Sequence, residues 1–519
     1  MTQKIHIARP HGNMPIKLVV DAHSATATRL PDLLIAHKCV KAVKRRLKST
    51  YYDTATHDLR ANRISLRVRK VGKSWRQRIK IAAAGKSGRI VEDRLATATP
   101  DVDAISDAHV RKQVRKVIAG APLEAAFITD VRRTTHVLSD SKGSRVKVAL
   151  DDAVVKTASN SHTFTDLKLV LKDGQIGALV DVATALIAKT TPLAPQHTSN
   201  EELGYHLLLN QPNANLKPAK MVPGRIAKTD TSIDGLRILA TAMTQQILHN
   251  WSVVLRGTDP EGAHQLRVGL RQLRTMLRAF RPVIDSAEMR ALEQDLKRLG
   301  RVVGTLRDLD VLGSDIVAPV AVPSQLQGGH DRVARAVAAR RDGQRETVRQ
   351  TLAAPHLQAL QVRLALLPQQ LGAAQNQPND GPSPKHIKSL ARRALNKSWR
   401  GAMDLGKRID ALTIPERHEL RKRLKGLRYT LDAFGPLYPK RTTQRFIRDL
   451  KQLQEVFGYL NDATLAEQLF DLKPADVDDA AFHQAIGHIT GYHAAQSTTT
   501  WYQAKQFWRD LVAAKRPWG

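Results

Sequence analysis

A repeat in the carboxyl-terminal half constrains this chain more than any other feature. Two stretches match without a gap at one offset, the 154 residues that separate His264 from His418. HQLRVGLRQLRTMLRAFRP, His264 to Pro282, aligns with HELRKRLKGLRYTLDAFGP, His418 to Pro436. The same offset aligns DLKRLGRVVGTLRDLD, from Asp295, with DLKQLQEVFGYLNDAT, from Asp449. Residues as unlike as His, Arg, Phe, Gly and Asp stay in register, which a chance match of leucines would not achieve. Self-similarity of this kind is the mark of one structural unit built twice.

Side chains three, four or seven apart share a helix face. Leu266, Leu270, Leu273, Leu277 and Phe280 then form one apolar stripe, and Leu420, Leu424, Leu427, Leu431 and Phe434 its copy. A second stripe is basic: His264, Arg267, Arg271, Arg274 and Arg278 in the first repeat, His418, Arg421, Lys425 and Arg428 in the second. Like charges one turn apart repel, and an ordinary solvated face mixes signs. Two copies that keep the basic sign predict a binding face, and guanidinium forks suit phosphate oxygens. Asp308 and Asp462 also match and are expected to orient repeat arginines. No His-x3-His pair or carboxylate recurs beside the histidines, so they are read as donors to the same anion and not as metal ligands.

Charge supports that reading. Lys plus Arg number 82 against 48 Asp plus Glu, a formal net charge of +34, and such a field attracts polyanions. Aromatic residues are only 4% of the chain, which disfavours stacking platforms for single-stranded nucleic acid. The single cysteine, Cys39, excludes an internal disulfide, and no run of about eighteen apolar residues predicts a membrane span. A cytoplasmic protein is expected.

Residues 1–208 read differently. Ile64–Arg69, Arg76–Ile81, Ser144–Leu150 and Phe164–Lys172 alternate apolar and polar side chains with period two, so they predict strands with one apolar and one basic face. Residues 104–118 and 176–190 look helical. Alternation over several strands predicts a closed or strongly curved antiparallel sheet. Residues 209–230 lose periodicity and are expected to form a linker. The helical part, 231–519, would hold its repeats at about 231–370 and 385–519. The expected class is α+β, with a β tunnel or barrel followed by all-α duplicated bundles.

The repeated His/Arg helix, with DPEGAHQLRVGLRQLR at 259–274 and RDLD at 307–310, resembles the CHAD (conserved histidine α-helical) family. That resemblance implies two pseudo-symmetric bundles around a basic groove, inorganic polyphosphate as the partner, and association with polyphosphate or related storage granules. The amino-terminal part resembles the CYTH, or triphosphate-tunnel, family through STYYDT at 49–54, ISLRVRK at 64–70, FITDVRRT at 127–134, SRVKVALD at 144–151 and ELGYHLL at 202–208. This second resemblance implies a Glu-x-Glu-x-Lys strand whose carboxylates hold divalent metal.

Here the equivalent positions read Asn13-Met-Pro-Ile-Lys17, and only the lysine remains. Asp166, Lys168 and Val170 occupy a strand the family makes Glu-rich, Lys147 replaces a frequent acid, and Asp151 and Glu92 survive. Phosphoryl transfer needs metal to bridge phosphate oxygens. A degenerate, non-catalytic domain without cofactor is expected, with Lys17, Arg67, Arg69, Arg78, Lys80, Arg132, Lys147 and Lys168 as its anion-binding residues. The alternatives are a Mg- or Mn-dependent inorganic triphosphatase and a nucleic-acid binder.

Overall fold

The computed structural model describes residues 16–20, 39–83, 86–189, 193–195, 199–210, 217–373, 386–472 and 479–519. The chain forms two compact units. The first comprises Met1–Leu216 with Ala353–Gln369, and the second Lys217–Leu352 with Gln370–Gly519. The class is the expected one: an antiparallel, tunnel-type sheet and a duplicated all-helical unit.

The sheet has nine antiparallel strands, β1 Ile16–Val20, β2 Cys39–Asp53, β3 Ile64–Val71, β4 Ser74–Ala83, β5 Lys86–Leu95, β6 Glu124–Ser139, β7 Arg145–Lys156, β8 Ser161–Asp173 and β9 Leu193–Pro195. They lie in the order β5-β4-β3-β2-β6-β7-β8-β1-β9. Period-two alternation sorts the side chains as the sequence predicts. Leu66, Val68 and Ile79 pack under helix α1 (Ala108–Ile118) through Val110 and Val114. Val146, Val148 and Leu169 pack under helix α2 (Ile176–Lys189) through Leu179 and Leu186. The opposite face carries Arg67, Arg69, Arg78, Lys147 and Lys168.

Two of the motif stretches hold each other. Asp53, the acid of STYYDT, is buried and accepts from Tyr205 Oη at 2.6 Å and from the amides of Thr54 and Leu59, each at 2.8 Å. Tyr205 comes from ELGYHLL, on helix α3 (Asn200–Leu208), and burial together with this bond pushes its phenol pKa far up. Gly204 lies under the Phe127 ring, where any Cβ would collide. A buried carboxylate is tolerated only when its oxygens are satisfied, and Asp53 meets that condition.

In the second unit the 154-residue offset extends to whole helices. The first repeat is α4 (Ser232–Arg256), α5 (Pro260–Ala279), α6 (Ala287–Val311) and α7 (Ser324–Ala353). Helix α8 (Pro355–Ala373) intervenes. The second repeat is α9 (Ile387–Gly406), α10 (Ile414–Phe434), α11 (Lys440–Ala463) and α12 (Ala480–Ala513). Pro260 maps onto Ile414, the first residues of α5 and α10, and the other starts agree within two residues. Both leucine stripes are buried, none of their side chains more than 4% exposed.

Two expected boundaries change. Helix α8 was expected inside the helical part, but most of it belongs to the first unit, where Val362 and Leu366 join the apolar layer of β7, β8 and α2. The expected linker is partly strapped down. Residues 211–216 lie outside the described part, whereas Ala219 exchanges hydrogen bonds with the Asn250 amide, at 3.1 and 2.7 Å, and Lys217 C=O meets His249 Nε2 at 2.8 Å. Segment 217–230 therefore runs along α4.

Candidate anion-binding site

Helices α5, α9 and α10 enclose a cleft of about 1220 Å³. Arg271, Arg274 and Arg278 reach it from α5 and Lys425 from α10, so four of the nine basic-stripe residues line it. Six further cations complete the wall: Arg281, Lys297, Arg393, Lys397, Lys422 and Arg423. Among the described residues, only Asp285 and Glu419 oppose them in the lining. The imbalance leaves a strongly positive concavity.

The remaining stripe residues lie elsewhere. Arg267 Nη1 donates to Asp308 Oδ1 at 2.8 Å, and Arg421 Nη2 donates to Asp462 Oδ1 at 3.3 Å, so the expected orienting pairs form in both repeats. His418 and Arg421 line a second cavity, about 780 Å³, walled by Phe457 and Leu460. Arg428 turns away from the main cleft. Its Nε donates to Gln454 at 2.7 Å and its Nη1 to Asp432 at 2.9 Å. Asp432 matches Arg278 at the repeat offset, so the second basic column ends in an internal ion pair. Arg278 itself donates to Glu293 at 2.5 Å.

The stripes nevertheless share one electrostatic field. Burial lowers the pKa of Arg271, and Arg267 and Arg421 lower it further. Burial also pushes Lys425 down to about 7, with Arg421, Arg271 and Arg267 adding to the effect and Asp462 opposing it. His264 is lowered first by burial and then by Arg307, Lys425 and Arg267, with Glu261 opposing. Cations from both repeats thus destabilise one another's charge across the α5–α10 contact, and a bound polyanion would relieve that cost.

On the sheet, antiparallel register gathers a second basic face, because directly opposed residues point the same way. Arg67 opposes Arg78, and Ser65 opposes Lys80. Arg133 opposes Asp151, which opposes Asp166; Lys168 stands two residues from Asp166 and Lys147 four residues from Asp151, on the same side. Lys17 holds the register position opposite Lys168. Arg69 joins them and donates to Ser49 Oγ at 2.7 Å.

Arg132 is the exception. It opposes Arg46 and Asp152 on the other face and is exposed, so Arg133 takes the place expected for it. Asn13, Met14 and Pro15 lie outside the described residues. Among the described residues, no three His, Cys, Asp or Glu side chains gather as a metal-binding group. Nor is any helix there long and apolar enough to cross a membrane.

A tunnel-type sheet with one charged face, followed by duplicated His/Arg helices, defines a CYTH domain joined to a CHAD domain. Family models agree: the CYTH domain matches residues 16–205 and the CHAD domain residues 238–471. The chain carries both. It is 24% identical over 488 residues, 89% of each chain, to "Uncharacterized protein MT2285" of Mycobacterium tuberculosis (strain CDC 1551 / Oshkosh). The same identity and coverage hold for "Uncharacterized protein Rv2226" of Mycobacterium tuberculosis (strain ATCC 25618 / H37Rv). The crystal structure of the CHAD domain from the plant Ricinus communis matches with a TM-score of 0.50 and 23% identity, over 58% of this chain and 98% of that one.

Proposed function

We propose that this protein binds inorganic polyphosphate without turning it over, in the cleft between α5, α9 and α10, and that it associates with polyphosphate or related storage granules through that cleft. One observation carries the reading: ten Lys and Arg side chains against two acids line a cavity of about 1220 Å³. Closely spaced phosphates suit closely spaced guanidinium and ammonium groups, since each contact is charge-assisted. Nucleic acid is the weaker fit, because Tyr429 is the only aromatic side chain among the described residues of the lining and bases would find little to stack on.

A competition assay tests the proposal. Long-chain polyphosphate should displace both duplex DNA and tripolyphosphate, with or without magnesium, while no phosphate is released. Preference for DNA, or brisk metal-dependent phosphate release, would overturn it. For the granule, a fluorescent full-length fusion should collect on polyphosphate bodies and an Arg393→Ala/Lys397→Ala fusion should not.

A further inference from the structure

A divalent metal on the sheet would need carboxylate oxygens open to it, because Mg²⁺ and Mn²⁺ take oxygen donors. Asp151 is already engaged. Its side chain is fully buried, Oδ1 accepts from Arg133 Nε at 2.6 Å, and Oδ2 accepts from Arg133 Nη2 and Lys168 Nζ, each at 2.7 Å. Asp166 stands directly across from Asp151, and Lys168 Nζ lies 3.8 Å from it, so one ammonium serves both acids. Glu92 opposes Arg78 and has Arg76 at 3.6 Å, and Glu201 of α3 accepts from Ser65 beside Lys80 and Arg67. The sequence Asn13-Met-Pro-Ile-Lys17 adds no carboxylate. Among the described residues, this donor set does not fit the divalent ion that the family resemblance implies.

We propose that Arg133 and Lys168 take the place of that metal, making the charged sheet face a metal-independent site for a short phosphate chain, with Asp151 as the positioning residue that holds both cations. A guanidinium and an ammonium together carry the charge of one divalent ion, on stems fixed by the buried carboxylate. Neither can bind a water and lower its pKa as a metal does, so the site holds phosphate without generating a nucleophile. Arg67, Arg69 and Arg78 extend it. Burial depresses Arg69 to about 10, with Arg67, Arg133 and Arg78 contributing, so these guanidinium groups lie within one field. The inference is independent of the helical cleft.

The test uses full-length protein carrying Arg393→Ala/Lys397→Ala, which weakens the cleft's background, and reads the sheet as the part of the binding that Arg67→Ala/Arg78→Ala removes. Tripolyphosphate should bind in EDTA, gain nothing from magnesium or manganese, and bind at least about tenfold more weakly after Arg67→Ala/Arg78→Ala, two changes that leave the Asp151 contacts intact. Manganese followed by electron paramagnetic resonance is the second readout. The native protein should hold no Mn²⁺ that Asp151→Asn abolishes, whereas Arg133→Gln/Lys168→Gln should gain an Mn²⁺ site. If that double variant does not fold, the EDTA comparison and the native manganese titration still decide. Tripolyphosphate binding only with added metal, no binding at all, or native Mn²⁺ binding lost in Asp151→Asn would each overturn the proposal. Failure of the cleft would appear separately, as long-chain binding unchanged by Arg393→Ala/Lys397→Ala.

Discussion

Phe280 and Phe434 occupy the same position of the two repeats and meet each other, their ring centroids 5.7 Å apart and both side chains fully buried. A residue that touches its own repeat-mate marks the pseudo-two-fold relation between α5 and α10. The duplication therefore builds one core, and the basic stripes beside these rings come within each other's field.

The pair should be energetically coupled. Phe280→Ala or Phe434→Ala alone should destabilise the helical unit by about 3–5 kcal/mol, through lost burial and the cavity left behind. The double change should cost less than the sum, by about 0.5–1.5 kcal/mol for the lost ring–ring contact. Urea unfolding followed by circular dichroism measures both. Strict additivity would remove the contact from the account.

Helix α8 should be part of the amino-terminal unit's stability. Val362 and Leu366 are buried against the sheet's apolar layer, so Leu366→Ala should cost about 2–5 kcal/mol in that unit. Residues 1–210 expressed alone should expose Val146 and Leu169 and bind a hydrophobic dye. Supplying residues 353–373 should reduce that dye binding.

Much of this was legible in the sequence, and the failures have physical causes. The leucine stripes were readable because burial obeys the helical period and both copies obey it together. The cleft cations of α9 were hidden because repeat matching finds only what both copies share. Arg393 and Lys397 correspond at the offset to Leu239 and Met243, which are buried on α4. Arg428 misled because a charge pattern does not reveal that Asp432, four residues on, captures the guanidinium. Alternation could not choose between adjacent Arg132 and Arg133; only the register with Asp151 does. The helical character of 231–519 covers α8 but does not tell which unit that helix packs on.

Binding should depend on pH through Lys425. Its folded pKa, about 7, lies below its ordinary 10.5, so between those values the unfolded chain binds the extra proton. The sign follows: this group's contribution to stability rises with pH from about 7 to about 10.5, and its penalty is complete below 7. Phosphate beside Lys425 favours the charged form, so binding above pH 7 should take up a proton and weaken as pH rises. Lys425→Arg should flatten that dependence, because a guanidinium keeps its charge among Arg271, Arg421, Arg267 and Asp462. Calorimetry in buffers of different ionisation enthalpy measures the uptake. No proton uptake in the native protein would contradict this role for Lys425.

The most direct test of the central claim is the salt dependence of long-chain polyphosphate binding in native protein and in Arg393→Ala/Lys397→Ala. Both side chains are exposed on α9 and point into the cleft, so the fold should persist, with helicity and melting temperature preserved. Binding should weaken, with a log–log salt slope shallower by roughly 0.7 for each phosphate contact removed, on the single-strand nucleic-acid scale. Unchanged affinity and unchanged slope in a folded variant would contradict it.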